Sequence, residues 1–412
     1  MTNTRPDAPA ERGMGVLKPL LARLPRPAST RSFWLFAAGA ILLVMLVIEV
    51  ISGMVLAMFY VPTADQAWDS IIHIMRYVRH GELIRNVHGI GASLLFFACY
   101  LHIFRAMHYA TYRKPYIRMW MISVTLYVLL IVTAFLGYSL VGGQKSYWAA
   151  TVITGFARTI PLIGADIQSF LIGGYAVDTP TFGRFFVLHF LIPLIITGMA
   201  VVHVRTVRRA FADAIKKEFT PQENQRLLLD YRITDEDTVK ITLYLILFTW
   251  GVFFAPHYFS SADNFIKADP TVTPLIVTPE WYFLPLFSIL RCFPDEVTGI
   301  VLMFGAIAIF YFLPWLDTSN SRFRHHSPWI KAGFFLWIIN MVWLGWMGSK
   351  ALVGPDFIDW LFGRSAEPGW IRPLSQLSTV LYFAWFVVVL PCRRWLEKQE
   401  PRQEKKREGQ KP

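Results

Sequence analysis

The sequence predicts an all-α integral membrane protein with eight transmembrane helices, a four-helix bundle (helices one to four) followed by a four-helix C-terminal part. Composition is the first observation: 54% of the 412 residues are apolar and 16% aromatic, with a mean hydropathy of +0.41, too oily for an ordinary soluble chain. The second is length. Apolar runs able to cross roughly 30 Å of hydrocarbon lie near 34–60, 86–108, 119–140, 185–204, 240–257, 298–316, 329–348 and 374–392. The third is the placement of charge in the connections.

The first 30 residues are polar, basic and proline-containing, without the short apolar core and small-residue cleavage site of a secretory signal. They read as a cytoplasmic arm. The net charge of +12 follows loop parity rather than a nucleic-acid-binding patch. Lys and Arg crowd the arm (Lys18, Arg23, Arg26, Arg31), the second loop (Arg113, Lys114, Arg118) and the fourth (Arg208, Arg209, Lys216, Lys217, Arg226). They recur in the sixth (Arg322, Arg324, Lys331) and in the tail (Arg393, Arg394, Lys405, Lys406, Arg407). The odd-numbered loops hold acids such as Asp263, Asp269, Asp295 and Glu296. Both termini are therefore expected in the cytoplasm. Cys99, Cys292 and Cys392 are isolated, so they form no Cys-x-x-Cys site and read as small packing residues.

Spans two and four carry the chemistry. His88 and His102 lie on one, His189 and His203 on the other, each pair 14 residues apart. Fourteen steps fall about 40° short of four full turns and climb roughly 21 Å, so each pair shares a face at two depths. From an inside N-terminus both spans run from outside to inside, setting His88 level with His189 and His102 level with His203. Two neutral imidazoles on opposite sides of an iron porphyrin hold a b-type haem. The pattern thus predicts a di-haem bundle, with His88 and His189 on the outer haem iron and His102 and His203 on the inner. A lone membrane histidine serves equally as an interhelical hydrogen-bonding or proton-path residue; four in this register point to haem.

The same period recurs in small residues: Gly39 and Gly53 on span one, Ser123 and Gly137 on span three. Small residues let backbone approach a macrocycle edge. Arg85, Arg105 and Arg184 lie near helix ends where haem propionates would emerge, or else snorkel to the interface.

Over roughly residues 30–395 the chain resembles cytochrome b, the membrane subunit of quinol–cytochrome c oxidoreductases (cytochrome bc complex, respiratory complex III). The resemblance rests on Arg85-Asn86-Val87-His88 with His102, Arg184 through His189 with His203, Gly137-Tyr138, and Trp148-Ala149-Ala150-Thr151-Val152-Ile153-Thr154. It continues through Asp269-Pro270, Pro279-Glu280-Trp281-Tyr282 and Leu313-Pro314-Trp315-Leu316-Asp317-Thr318-Ser319. The 14-residue gap on span four looks like the respiratory branch.

That resemblance implies a subunit of an oxidoreductase. It would oxidise ubiquinol at an outer-face site and pass electrons across the membrane through two non-covalent b haems to an inner quinone site, contributing to the proton gradient. Its implied partners are a Rieske iron–sulfur protein, a c-type cytochrome subunit, a second copy of the complex and membrane lipid, with no nucleic acid. The implied location is a bacterial inner membrane. The residues around Glu280 alone admit a solvated loop carboxylate; by resemblance Glu280, Tyr282 and Tyr138 are the catalytic candidates. Phe135, Ala149, Ile153, Pro279, Phe287 and Arg291 are the candidate quinol-pocket residues, with 144–158 as one wall.

On this reading the chain divides into a basic arm (1–31), a di-haem domain (32–210), a charged cytoplasmic loop (211–239), a C-terminal domain with the quinol-site motif (240–395) and a basic tail (396–412). Several positions depart from the family pattern. Val141 and Gly142 replace a usual Pro-Trp, Ala149 a glycine, and Phe287 a common tyrosine. Glu49 stands where glutamine is common, close to the outer haem, and reads either as a proton-conducting or haem-tuning group or as a protonated structural acid. At the inner face Arg208 and Ile241 replace an expected histidine and aspartate, which weakens the case for the inner quinone site. Two other readings stay open. One is a divergent paralogue acting as an electron conduit with an altered or absent inner site; the other is a proton or metal transporter with intramembrane histidines.

Overall fold

The computed structural model describes residues 37–218, 235–274, 277–319, 328–364 and 369–394, with the side chains of 211–218 and 235–236 left aside. The arm (1–31), the tail (396–412) and the basic residues Arg226, Arg322 and Arg324 fall outside the described residues. Among the described residues, eight helices are long and apolar enough to cross a membrane. In chain order the helices are α1 (Ala38–Ala57), α2 (Ala67–Tyr77), α3 (Gly81–His108), α4 (Ile117–Ser139), α5 (Gln144–Gly155), α6 (Gly164–Ile172) and α7 (Thr179–Glu218). They continue with α8 (Asp235–Phe254), α9 (Leu284–Arg291), α10 (Glu296–Leu316), α11 (Pro328–Gly348), α12 (Phe357–Leu361) and α13 (Ile371–Ala384), the last running on to Arg394 as the eighth span. The spans are α1, α3, α4, α7, α8, α10, α11 and α13. Among the described residues no strand forms; a single bridge joins Gly143 to Lys267.

Two helices extend beyond their sequence-predicted ends. Arg85 sits inside α3, which begins at Gly81, because Gly81 can press against the Ile74 carbonyl where a Cβ would overlap it. Helix α7 continues past 210, where a loop was expected from the sequence, and is described as far as Glu218. The alanine-rich run Ala210-Phe211-Ala212-Asp213-Ala214 favours helix whatever its charge. Pro193 lies inside α7, and Thr197 Oγ1 donates to its carbonyl at 2.8 Å.

Packing explains why α1–α4 and α7 form the site. Helix α1 lies along α3 and α4 along α7, with α1 also touching α7. Ile41, Met45, Ile90, Leu94 and Phe248 fill one core between α1, α3 and α8. A second core, holding Leu313, Trp337, Leu344, Tyr382 and Phe386, joins α10, α11 and α13 to the C-terminal end of α3 and to α4. The Leu313–Ser319 motif fastens this junction: Asp317, fully buried, takes Tyr112, Arg113 and Arg393 around one carboxylate oxygen, Arg393 Nη1 at 3.0 Å. A buried carboxylate is tolerated when charge partners and hydrogen bonds surround it. Helix α2 packs on α3, α5 on α4 and on the 262–265 turn, and α6 on α7.

Candidate functional site: two imidazole pairs and an outer cavity

The period-14 residues meet across the helix pairs. On α1, Gly53 faces His88 of α3 and Gly39 faces His102, the positions of their missing Cβ atoms lying 3.0 and 3.4 Å from the respective imidazole Cε1 atoms. On α4, Gly137 faces His189 of α7, where a Cβ would stand 2.9 Å from Nε2, and Ser123 Oγ lies 3.3 Å from His203 Nδ1. Each ligand-bearing helix thus has a small-residue helix pressed against its imidazoles. No real Cβ tolerates the contact at Gly137, so the ring of His189 depends on glycine there.

Across the bundle the four rings fall into the two predicted pairs. The His88 and His189 centroids are 6.1 Å apart with rings at 87°, and those of His102 and His203 are 6.4 Å apart at 80°. A metal–imidazole nitrogen bond of about 2 Å, with the centroid about 1.2 Å behind the nitrogen, places two imidazoles on opposite sides of one metal roughly 6.4 Å apart. Both pairs fit that spacing. Two protein ligands per site suit a porphyrin, which supplies four nitrogens of its own. Among the described residues no three His, Cys, Asp or Glu side chains converge as a bare-ion site requires. The second ring nitrogens are held unevenly: His189 Nδ1 lies 2.9 Å from the Thr133 carbonyl oxygen, whereas His102 Nδ1 is buried without a partner.

The outer pair opens into a cavity of about 300 Å³. Its lining includes His88, His189, Gly53, Gly137, Glu49, Arg85, Tyr138, Glu280 and Tyr282, so one enclosure joins the outer imidazoles to all three catalytic candidates. Glu280 enters from an extended backbone just before a short 3₁₀ turn, Trp281–Phe283. The turn is clamped to α3: Tyr282 stacks on Phe96 with centroids 4.1 Å apart, and Tyr100 donates to the Tyr282 carbonyl at 2.5 Å. Burial pushes the Glu280 carboxyl above its ordinary value, while the cations Lys145 and Arg85 draw it partly back. A carboxyl so placed can accept a proton in an apolar pocket.

Helix α5 places Lys145, Ala149 and Ala150 in buried positions, and none of its residues lines the cavity itself. Gly142 adopts the left-handed φ of +67°, and the Ser146 amide donates to Asn264 Oδ1 at 2.9 Å. That departure from the family's Pro-Trp therefore makes a glycine-dependent turn.

Other predicted residues lie outside the cavity lining. Phe135 packs edge-on against Phe185 at 5.8 Å, Ala149 is buried, and Ile153 is 37% exposed. Pro279 sits one residue before the lining Glu280. Arg291 covers Phe287, its guanidinium 4.8 Å from the ring, and donates to the carbonyls of Met347 (2.7 Å) and Lys350. Arg291 thus ties α9 to the end of α11. Arg184 donates to the Phe170 carbonyl and lies over that ring at 5.6 Å, which turns it toward α6. Arg105 stays one turn beyond His102 at the end of α3. At the inner face Arg208 is exposed, and Ile241 packs on the α1–α3–α8 core. Sequence reasoning missed Lys145, Asn86 and Asn264. Lys145 carried a signal: it is the single charged residue of the Gln144–Gly155 helix, between Gln144 and Ser146.

The family models described as "Cytochrome b/b6/petB" and "Cytochrome b(C-terminal)/b6/petD" match residues 21–211 and 267–383. The chain belongs to the cytochrome b family. Among curated cytochromes b, it is 38% identical over 368 residues to that of Rickettsia prowazekii, covering 89% of each chain. It is 37% identical to the "Cytochrome b/c1" of Bradyrhizobium diazoefficiens over 94% of this chain but only 54% of that longer protein. A solved structure titled "Hyperthermophilic respiratory Complex III" superposes with a TM-score of 0.75 at 26% identity, covering 94% of this chain and 98% of its counterpart. Membership in this family brings haem b binding with it, which the two imidazole pairs are shaped to provide.

Proposed function

We propose that this cytochrome b is the di-haem subunit of a respiratory quinol–cytochrome c oxidoreductase, oxidising ubiquinol at the outer cavity. One observation carries the reading: a single cavity brings a half-buried carboxyl, Glu280, and the Tyr138 side chain together with the outer imidazole pair. Bound haems would supply one-electron redox centres at two depths, held by His88 and His189 on the outer side and by His102 and His203 on the inner.

The chain's own residues do the remainder. Apolar walls exclude water, Glu280 takes the proton of a bound quinol hydroxyl, and Arg85 and Lys145 favour the ionised carboxyl that this requires. Tyr282, held by Phe96 and Tyr100, fixes where Glu280 stands. The remaining implied elements belong to the same proposal: an inner quinone site, a Rieske iron–sulfur protein, a c-type cytochrome, a homodimeric complex and a bacterial inner membrane with both termini cytoplasmic. The paralogue reading keeps one specific support, since Arg208 and Ile241 stand where the family offers histidine and aspartate.

The test is turnover of a ubiquinol analogue by membranes carrying the intact complex. Glu280→Gln should cut quinol-driven reduction of cytochrome c by about 10²-fold or more, the usual worth of a positioned proton acceptor, with the haem spectrum retained. Unchanged turnover would rule Glu280 out as the acceptor.

A further inference from the structure

The four imidazoles offer their second ring nitrogens to four different surroundings, and one stands apart. His189 meets a backbone carbonyl, His203 a serine hydroxyl together with the Met119 carbonyl, and His102 no partner. Around His88 Nδ1 lie Glu49 Oε2 at 3.1 Å and Ser52 Oγ at 3.0 Å. A carboxyl thus reaches one ligand of the four.

The acid is built in. Glu49 lies in the middle of α1 and is 9% exposed. Its berth is cut into α3 by Gly91, where a Cβ would overlap Glu49 Oε1. The Ser52 hydroxyl donates to the Ile48 carbonyl at 2.7 Å, which leaves its oxygen free to accept on the imidazole side. The Glu49 carboxyl, the Glu49 backbone carbonyl and the Ser52 hydroxyl therefore crowd around one imidazole as three acceptors. A carboxyl within a span is costly and persists where it has work.

A ligand histidine whose far N–H meets a carboxyl becomes a stronger base at its metal-binding nitrogen, and its ring orientation is fixed. Stronger donation favours the ferric over the ferrous ion. We propose that Glu49 is a positioning residue that accepts the hydrogen bond of His88 Nδ1–H and lowers the reduction potential of the outer haem. The inference rests on the two-haem reading above. Its consequence is directional: a more reducing outer centre gives its electron up more readily to the inner one, and among the described residues no acid is in contact with the inner pair.

The experiment is a potentiometric titration of the b haems in membranes holding the intact complex, with the two waves assigned by a His102→Leu control. In Glu49→Gln the outer wave should move to higher potential by at least a tenfold change in the ferric–ferrous equilibrium, about 59 mV for one electron. The inner wave should stay in place, and Glu49→Asp should fall between Gln and wild type. An unmoved outer wave with both haems present overturns this inference alone, as does an equal shift of both waves. A wild-type preparation without two haems overturns the two-haem reading and this inference with it. Should Glu49→Gln lose the outer haem, Glu49→Asp carries the test through the EPR g-values of the outer ferric haem. A change confined to that signal supports the role, and an unchanged signal overturns it.

Discussion

The outer and inner imidazole pairs are nearly the same object in different settings. Ring separations of 6.1 and 6.4 Å and angles of 87° and 80° make the two grips equivalent. Their surroundings are not. The outer pair faces a cavity with Glu280, Tyr138 and Arg85 on its walls, and one of its histidines touches an acid. The inner pair is bounded by Gly39, Ser123 and a His102 nitrogen without a partner. The grip is a repeated helical device set by period; the chemistry belongs to what the loops bring to one end of it.

The sharpest way to break the equivalence of the grips is to crowd them. Gly137→Ala drives a Cβ into the His189 ring, whereas Gly39→Ala meets His102 only at an ordinary contact distance of 3.4 Å. Gly137→Ala should therefore abolish most of the outer haem signal in a reduced-minus-oxidised spectrum while Gly39→Ala keeps both haems. Equal losses would show that the glycine contacts do not distinguish the sites.

A smaller effect separates the outer cavity from a generic pocket. The Glu280 carboxyl is raised by burial and drawn back by Lys145 and Arg85. It accepts a proton only when ionised, so turnover rises with pH through its pKa. Lys145→Met removes one positive charge, raises that pKa further and moves the acidic limb of the pH–rate profile to higher pH. A limb that stays in place would mean Lys145 is not felt at Glu280. The smallest effect is structural: Tyr100→Phe deletes the hydrogen bond to the Tyr282 carbonyl and should cost about 1 kcal/mol of stability. It should be read as a modest fall in melting temperature, with both haems retained.

Much of this was legible in the chain because the period is unambiguous. Fourteen residues nearly close four helical turns, so His88, His102, His189 and His203 and the small residues facing them could be placed before any contact was known. The eight spans were legible for the same reason, apolar length. What escaped depended on partners distant in sequence. Arg184 and Arg291 read as site residues, but their partners are the carbonyls of Phe170 and of Met347 and Lys350, which no local pattern announces. Lys145 and Asn264 join the outer region only because α5 and the 262–265 turn fold over the same helix ends. The role of Glu49 depended on Gly91 of another helix making room for it.

If the two imidazole pairs each hold one haem, the haem content of the complex follows from them. Pyridine haemochrome assay of the purified complex should give two b haems per chain, with His189→Leu losing the outer one and His203→Leu the inner one. A folded preparation without b haem, or a His189→Leu variant that retains both centres, would contradict it.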